Sequence, residues 1–168
     1  MSSMYGSNPV LELMQKADRL AEAFDSTHQH TLPIVQELLG VLTSPSSADC
    51  DPMERVEQKL GYLRIALEHM EKSVTEMMSM LYQVDVFLEQ PQTQGVSSKD
   101  PRAALEHVSD LFHMYQSELL EKREALADLT CEEISPADFA QRWSSLDSVK
   151  SGRKQTMDDL ADLLAGLG

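Results

Sequence analysis

Few residues in this chain have the type and spacing that chemistry needs. The nearest approximation to a metal motif is Asp110-Leu-Phe-His113, a carboxylate and an imidazole three apart on one helical face. A helical bundle can hold a di-metal carboxylate site, but that site takes Glu-x-x-His pairs with further inward-facing glutamates, and no Glu-x-x-His occurs here. A surface Asp/His pair is the better reading. His28 and His30 are two apart, do not share a face, and read as solvent-facing near Pro33. Cys131 precedes Glu132 and Glu133, whose charges raise a thiol's pKa and weaken it as a nucleophile. Gly40, Gly61, Gly95 and Gly152 stand alone, outside any phosphate loop, dinucleotide fingerprint or nucleophile elbow. The expectation is a chain that is not an enzyme and carries no cofactor and no metal.

Composition points the same way. The 168 residues suffice for one domain with its own core, and 42% apolar with only 5% aromatic residues favours long helices over a sandwich or barrel. The formal charge of −14 repels phosphate backbones and anionic membranes, so basic protein surfaces are the expected partners rather than nucleic acid. Cys50 and Cys131 form neither a disulfide framework nor a metal spacing, as expected in a reducing compartment. The opening MSSMYGSNP has no basic region followed by an apolar run, and no apolar stretch approaches the ~20 residues that span a bilayer. These features predict a soluble intracellular protein.

The elements that would position any site are announced by four dipeptides: Asn8-Pro9, Asp51-Pro52, Asp100-Pro101 and Ser135-Pro136. Each joins a side chain able to accept from orphan helix N–H groups to a proline suited to the first helical position. Glu54 after Asp51 and Asp138 after Ser135 strengthen two of these starts. Behind the first lies a three-four alternation through Val10, Leu13, Ala17, Leu20, Phe24, Thr27, Thr31, Ile34, Leu38 and Val41. Pro33 falls inside it; because the phase survives, a kink is expected rather than a break. The second seam is Met53, Val56, Leu60, Leu63, Leu67, Met70, Val74, Met77, Leu81, Val84 and Leu88, a rod ~58 Å long that Pro91 ends. The third is Leu105, Val108, Phe112, Tyr115, Leu119, Lys122, Leu126 and Leu129. A short helix from Pro136 to about Ser148 presents Phe139, Trp143 and Leu146, and another from about Thr156 presents Met157, Leu160, Leu163 and Leu164.

The predicted fold is therefore all-α: an elongated antiparallel three-helix bundle or coiled coil with two short C-terminal helices. Residues 1–8 are expected to be disordered, 9–130 to form the bundle and 131–168 the short helices. The 3.5-residue beat implies left-handed supercoiling. Methionines of the stretch HMEKSVTEMMSMLYQ divide into two sets: Met70 and Met77 lie on the seam, while Met78 flanks it and Met80 is expected to face away from its centre.

Surface features supply the rest. LADLL, Leu160 to Leu164, matches the L-x-x-L-L helix that docks in hydrophobic grooves, although a helix packing on its own bundle gives the same spacing and is favoured. Trp143 reads either as an interface anchor or as core. Lys122, charged on a seam, must snorkel or meet an acid. With Arg123 it reads either as a contact to an acidic partner or as an internal pair with a glutamate.

MYQSELLEKR, Met114 to Arg123, resembles the M-Y-x-x-E-L-L-x-K-R signature of the cyclin-dependent kinase 2-interacting protein (CINP) family. Leu60, Leu63, MEK at Met70 to Lys72, and the downstream Trp143 stand at similar spacing, so the likeness spans roughly Leu60 to Val149. A looser likeness to the ribosome-maturation factor AIRIM runs through the same helices. The chain is similar to that family without its longer N-terminal extension and with a different loop before Trp143.

The resemblance implies a non-catalytic accessory subunit of an AAA+ ATPase complex, nuclear and cytoplasmic, in ribosome maturation and replication-linked protein turnover. It would act beside a second helical accessory protein as a hetero-oligomer. The alternative is a structural coiled-coil subunit of a tether, kinetochore or microtubule-associated complex. Expected partner-binding residues are Met78, Met80, Tyr115, Glu118, Leu119, Leu120, Lys122, Arg123, Trp143, Leu160, Leu163 and Leu164; direct nucleic-acid or membrane contact is not expected.

Overall fold

A computed structural model describes residues 9–43, 52–89, 101–146 and 149. Four helices, α1 (Pro9–Thr43), α2 (Pro52–Glu89), α3 (Pro101–Thr130) and α4 (Pro136–Ser144), occur in it, with no strand among the described residues. The fold is all-α and bundled, as the heptad pattern predicts. The caps Asn8, Asp51 and Asp100, the side chains of Val10, Val84 and Leu88, Cys50, and the second short helix with Met157, Leu160, Leu163 and Leu164 lie outside the described residues, as does the segment expected to be disordered.

Cross-helix bonds give the directions. Lys59 near the start of α2 bonds Glu37 near the end of α1, and Arg123 late in α3 bonds Glu71 in α2, so both neighbouring pairs run antiparallel. His107 bonds Asp18 and Tyr115 bonds Asp25, so α1 and α3 run parallel in a nearly constant register. The chain goes up, down and up, and α4 folds back against α1 and α3 without touching α2.

Each long helix buries more than one seam because each meets two neighbours. In α1 the buried stripe is Ala17, Ala21, Phe24, His28, Thr31, Val35 and Leu38. Ala21, His28 and Val35 thus replace the expected Leu20, Thr27 and Ile34 at its centre, while Leu20 and Ile34 pack half-buried beside it. His28 is 1% exposed, which corrects its solvent-facing assignment; His30 is exposed as expected. In α2 the seam Leu60, Leu63, Leu67, Met70, Val74 and Met77 is buried, but so is a flanking row, Ala66, Ser73 and Met80. That row continues the seven-residue spacing of Lys59, whose bond to Glu37 shows that it faces α1. Met80, expected to face outward, is therefore fully buried. Met53, expected on the seam, is exposed.

Pro33 does not break α1. It sits on the solvent face, as does Gln29 one turn earlier, so the carbonyl that loses its donor is within reach of water.

α3 ends in a Schellman motif: the Glu133 amide donates to the Asp128 carbonyl at 2.8 Å and that of Glu132 to Leu129 at 3.1 Å. Glu132 takes the left-handed position with φ 58°, where a β-carbon is unfavourable. Glu132→Gly should raise unfolding free energy by about 1 kcal/mol, read as a higher denaturant midpoint with unchanged slope.

The turn delivers the chain to α4. Ser135 caps it, its hydroxyl accepting from the Asp138 amide at 3.1 Å, with Pro136 in the first turn. The helix stops at Ser144, short of the expected Ser148, because Ser145 is extended.

Candidate functional site

Two regions can be built from the residues upward: a polar seam joining α3 to α1 and α4, buried at Tyr115, Glu118, Lys122 and Trp143 and partly exposed at its other pairs, and an apolar edge on the outside of α2 and α3.

The seam uses one seven-spaced row of α3. His107 Nε2 lies 2.9 Å from the accepting Asp18 Oδ1 on α1, and further along the row Glu121 and Asp128 both accept from Arg142 of α4 at 2.8 Å. Hydrogen bonds to Asp128 first, then Glu121, raise the guanidinium pKa further and hold it charged. One row inward, Tyr115 is fully buried; its hydroxyl donates to the Asp25 carboxylate at 2.9 and 3.0 Å, and its ring meets Phe24 edge-on at 4.8 Å. Tyr115→Phe should cost about 1–2 kcal/mol, measured by chemical denaturation, since the lost bond goes to a charged acceptor that keeps some water.

One heptad on is Lys122. Its ammonium is wholly buried, 3.6 Å from Glu118 one turn earlier and 3.1 Å from the Ser145 carbonyl, which its extended backbone leaves outside the helix ladder. Desolvation pushes the Lys122 pKa down, and Glu118 partly offsets it. Of the two readings open for Lys122, the internal glutamate pair is the one observed. Arg123 is half-exposed and bonded to Glu71. Trp143 is fully buried, its indole N–H donating to Thr31 Oγ1 at 2.8 Å, while Thr31 donates to the His28 carbonyl at 2.6 Å. Phe139 lies beside the indole at 5.8 Å between centroids.

These groups are committed to one another, so the seam's chemistry is positional. Fixed donors and acceptors at intervals of a heptad set the register of α3 on α1 and lock α4 over both. Among the described residues no group of three or more His, Cys, Asp or Glu is placed to hold a metal. Asp110 and His113 are both exposed. Asp25-Ser-Thr-His28 repeats their spacing and goes unnoticed in the sequence reading; there Asp25 serves Tyr115 and His28 is core. Cys131 is an exposed free thiol in the turn after α3.

The expected partner-binding residues divide sharply. Met80, Tyr115, Glu118, Leu119, Lys122 and Trp143 are turned into the chain's own core. Of the others, Met78, Leu120 and Arg123 are exposed, and Leu160, Leu163 and Leu164 fall outside the described residues. Met80 and Glu118 lie in rows flanking the predicted seams, where a long helix meets its second neighbour, whereas Tyr115, Leu119 and Lys122 lie on the predicted α3 seam itself and Trp143 on the buried face of α4. Two large apolar side chains that the sequence reading did not single out are also exposed: Tyr82 at 69% and Val86 at 57%, four and eight residues beyond Met78. Their signal was available, since aromatic and β-branched side chains off the seam have no internal neighbour to meet.

No described helix is long and apolar enough to cross a membrane. Scans of the chain against protein-family models, curated proteins and solved structures return no match.

Proposed function

We propose that this chain is a non-catalytic adaptor subunit that holds another helical protein within a larger assembly. The observation that carries the reading is the exposure of Met78, Tyr82, Val86 and Leu120 on the outside of a bundle whose interior is already filled. A net charge of −14 favours a basic counterpart, and electrostatic attraction of that kind speeds encounter and selects among partners. The mechanism is geometric: a register pinned by the polar seam presents the outer face rigidly.

The likeness of Met114–Arg123 to the CINP-family signature supports a narrower form, an accessory subunit beside an AAA+ ATPase in ribosome maturation and replication-linked protein turnover, in nucleus and cytoplasm. Tyr115, Glu118, Leu119 and Lys122 of that stretch are core residues here, so what they supply directly is a fold. Purification of the tagged full chain from its own cells, with stoichiometry by mass spectrometry, tests the proposal. An equimolar ATPase with a second helical chain supports it; several coiled-coil chains of matched length favour a rod-like tether instead; a chain that purifies alone as a monomer overturns both.

A further inference from the structure

Past the end of α4 the groove between α1 and α3 runs on, and the chain leaves α4 heading along it. Arg142 bonds Asp128 and Glu121, and Lys122 reaches the Ser145 carbonyl, so this part of the chain travels toward the start of α3, antiparallel to both α3 and α1. α4 ends at Ser144, two residues after Arg142 and about level with Glu121. Seven and fourteen residues before Glu121 on the same α3 row stand Met114 and His107. Across from them on α1 are Asp25 and Asp18, which bond Tyr115 and His107, with Met14 and Leu11 one and two turns beyond Asp18. Met114, Met14 and Leu11 are half-buried.

The rim of this groove is acidic. Asp18, Glu22 and Asp25 border it on α1 and Asp110 on α3, and Glu22 and Asp110 are exposed. Glu118 and Glu121, nearer α4, already meet Lys122 and Arg142. Lys16 is two residues from Asp18 and Arg102 five from His107, which puts both bases on other faces of their helices, and Arg19 stands on the solvent side of Glu22. Beyond α4, Leu146 and Val149 are buried at 7% and 3% and lie three apart, on one helical face. Residues 150–168 lie outside the described residues. In sequence that face continues through Arg153, Met157, Leu160, Leu164 and Leu167 at steps of four and three, while Asp158, Asp159 and Asp162 fall off the stripe, and three of the five residues KSGRK at 150–154 are basic. As a helix these 19 residues would span ~28 Å, and the groove from Asp25 to Leu11 is ~21 Å long. Counted antiparallel from the bond between Trp143 and Thr31, Leu160 falls about level with Met14, and Lys150 and Arg153 about level with Asp25 and Glu22.

We infer that the α1–α3 groove past α4 is the seat of this chain's own residues 150–168, with Lys150, Arg153 and Lys154 against the acidic rim and the leucines of LADLL over Met114, Met14 and Leu11. The tether favours this segment over the same segment of a second copy, because a short connection holds it at an effective concentration in the millimolar range. The α1–α3 side is then closed within one chain, and Leu160, Leu163 and Leu164 are turned inward rather than offered to a partner. The inference goes beyond the adaptor reading and does not depend on it.

The test is disulfide trapping in the purified full chain, with Cys50→Ser and Cys131→Ser removing the native thiols. Met14→Cys is paired with Leu160→Cys, and Tyr82→Cys with Leu160→Cys serves as control, since Tyr82 lies on the outer face of α2. Under a mild oxidant the first pair should close within one chain about tenfold faster than the control, as read by peptide mass spectrometry and by mobility without reductant. High salt, or the triple replacement Lys150→Ser, Arg153→Ser and Lys154→Ser, should slow that closure several-fold.

Equal rates for the two pairs overturn the inference, as does faster closure at Tyr82 or a Met14–Leu160 disulfide that forms only between chains. A rate that neither salt nor the triple replacement changes overturns the pairing of bases with the acidic rim. Circular dichroism checks that each variant keeps its helices; if Met14→Cys does not, Leu11→Cys with Leu164→Cys replaces it and is read by the same outcomes.

Discussion

Glu118→Ala should lower the unfolding free energy by about 3–5 kcal/mol at neutral pH, a loss that leaves a domain of this size barely folded. The carboxylate is the nearest countercharge to a lysine with no exposed side-chain surface. Its removal strands the ammonium with only the Ser145 carbonyl and the more distant Glu121. The pH dependence distinguishes this from simple loss of packing. Burial depresses the folded-state pKa of Lys122 below its ordinary 10.5. Below the depressed value the ammonium is charged in both folded and unfolded chains, and its burial counts fully against folding. Between that value and the unfolded one, the folded chain has shed a proton that the unfolded chain still holds, so stability rises with pH. Without Glu118 the folded value falls further and the rise begins at lower pH. The deficit of Glu118→Ala should therefore narrow as pH climbs from neutral towards alkaline, as measured by denaturant midpoints across that range. The double replacement Glu118→Leu with Lys122→Met should recover stability to within about 1 kcal/mol of the parent, because matched apolar groups remove both desolvation costs together.

Trp143→Ala should cost about 3–5 kcal/mol, combining a large cavity with the loss of the bond to Thr31. The effect should be local in hydrogen exchange. Amides of α4 and of the Ser145 region should lose protection first, since Phe139, Ala140 and Trp143 are the residues by which α4 is buried. The α1–α2 pairing, in which α4 touches α1 but not α2, should keep its protection until global unfolding. Trp143→Phe, which keeps most of the ring volume, should cost about 1–2 kcal/mol. Equal loss of protection throughout the chain would show instead that α4 and the long helices form one cooperative unit.

Much of the fold was legible because helix starts and heptads are local signals. Proline marked the first residue of every described helix, with the expected cap observed at Ser135, and the seams of α2 and α3 emerged nearly as read. What escaped was the second neighbour of each helix. Met80 is invisible to a single three-four count, yet Ser73 and Ala66, seven and fourteen residues before it, are small enough to let α1 approach and could have marked the row. His28 was misread for the same reason. The polar seam was legible only in part: Glu118 and Lys122 are four apart and therefore predictable, whereas Tyr115 finds Asp25 across 90 positions and Trp143 finds Thr31 across 112, separations that no periodicity spans. Sites suffered most, because a lysine, a tyrosine or a tryptophan on a helix looks alike in sequence whether it faces a partner or its own bundle.

The central claim is that the heptad seams close within one chain, leaving the outer edge of α2 and α3 for a partner. Size-exclusion chromatography with light scattering on the isolated full chain, followed by thermal melting of the same peak, tests it most directly. The account expects a mass of 18.8 kDa and one cooperative transition independent of protein concentration. A stable oligomer whose melting rises with concentration, or a helical chain that melts without cooperativity, would show that the seams need a companion and would contradict it.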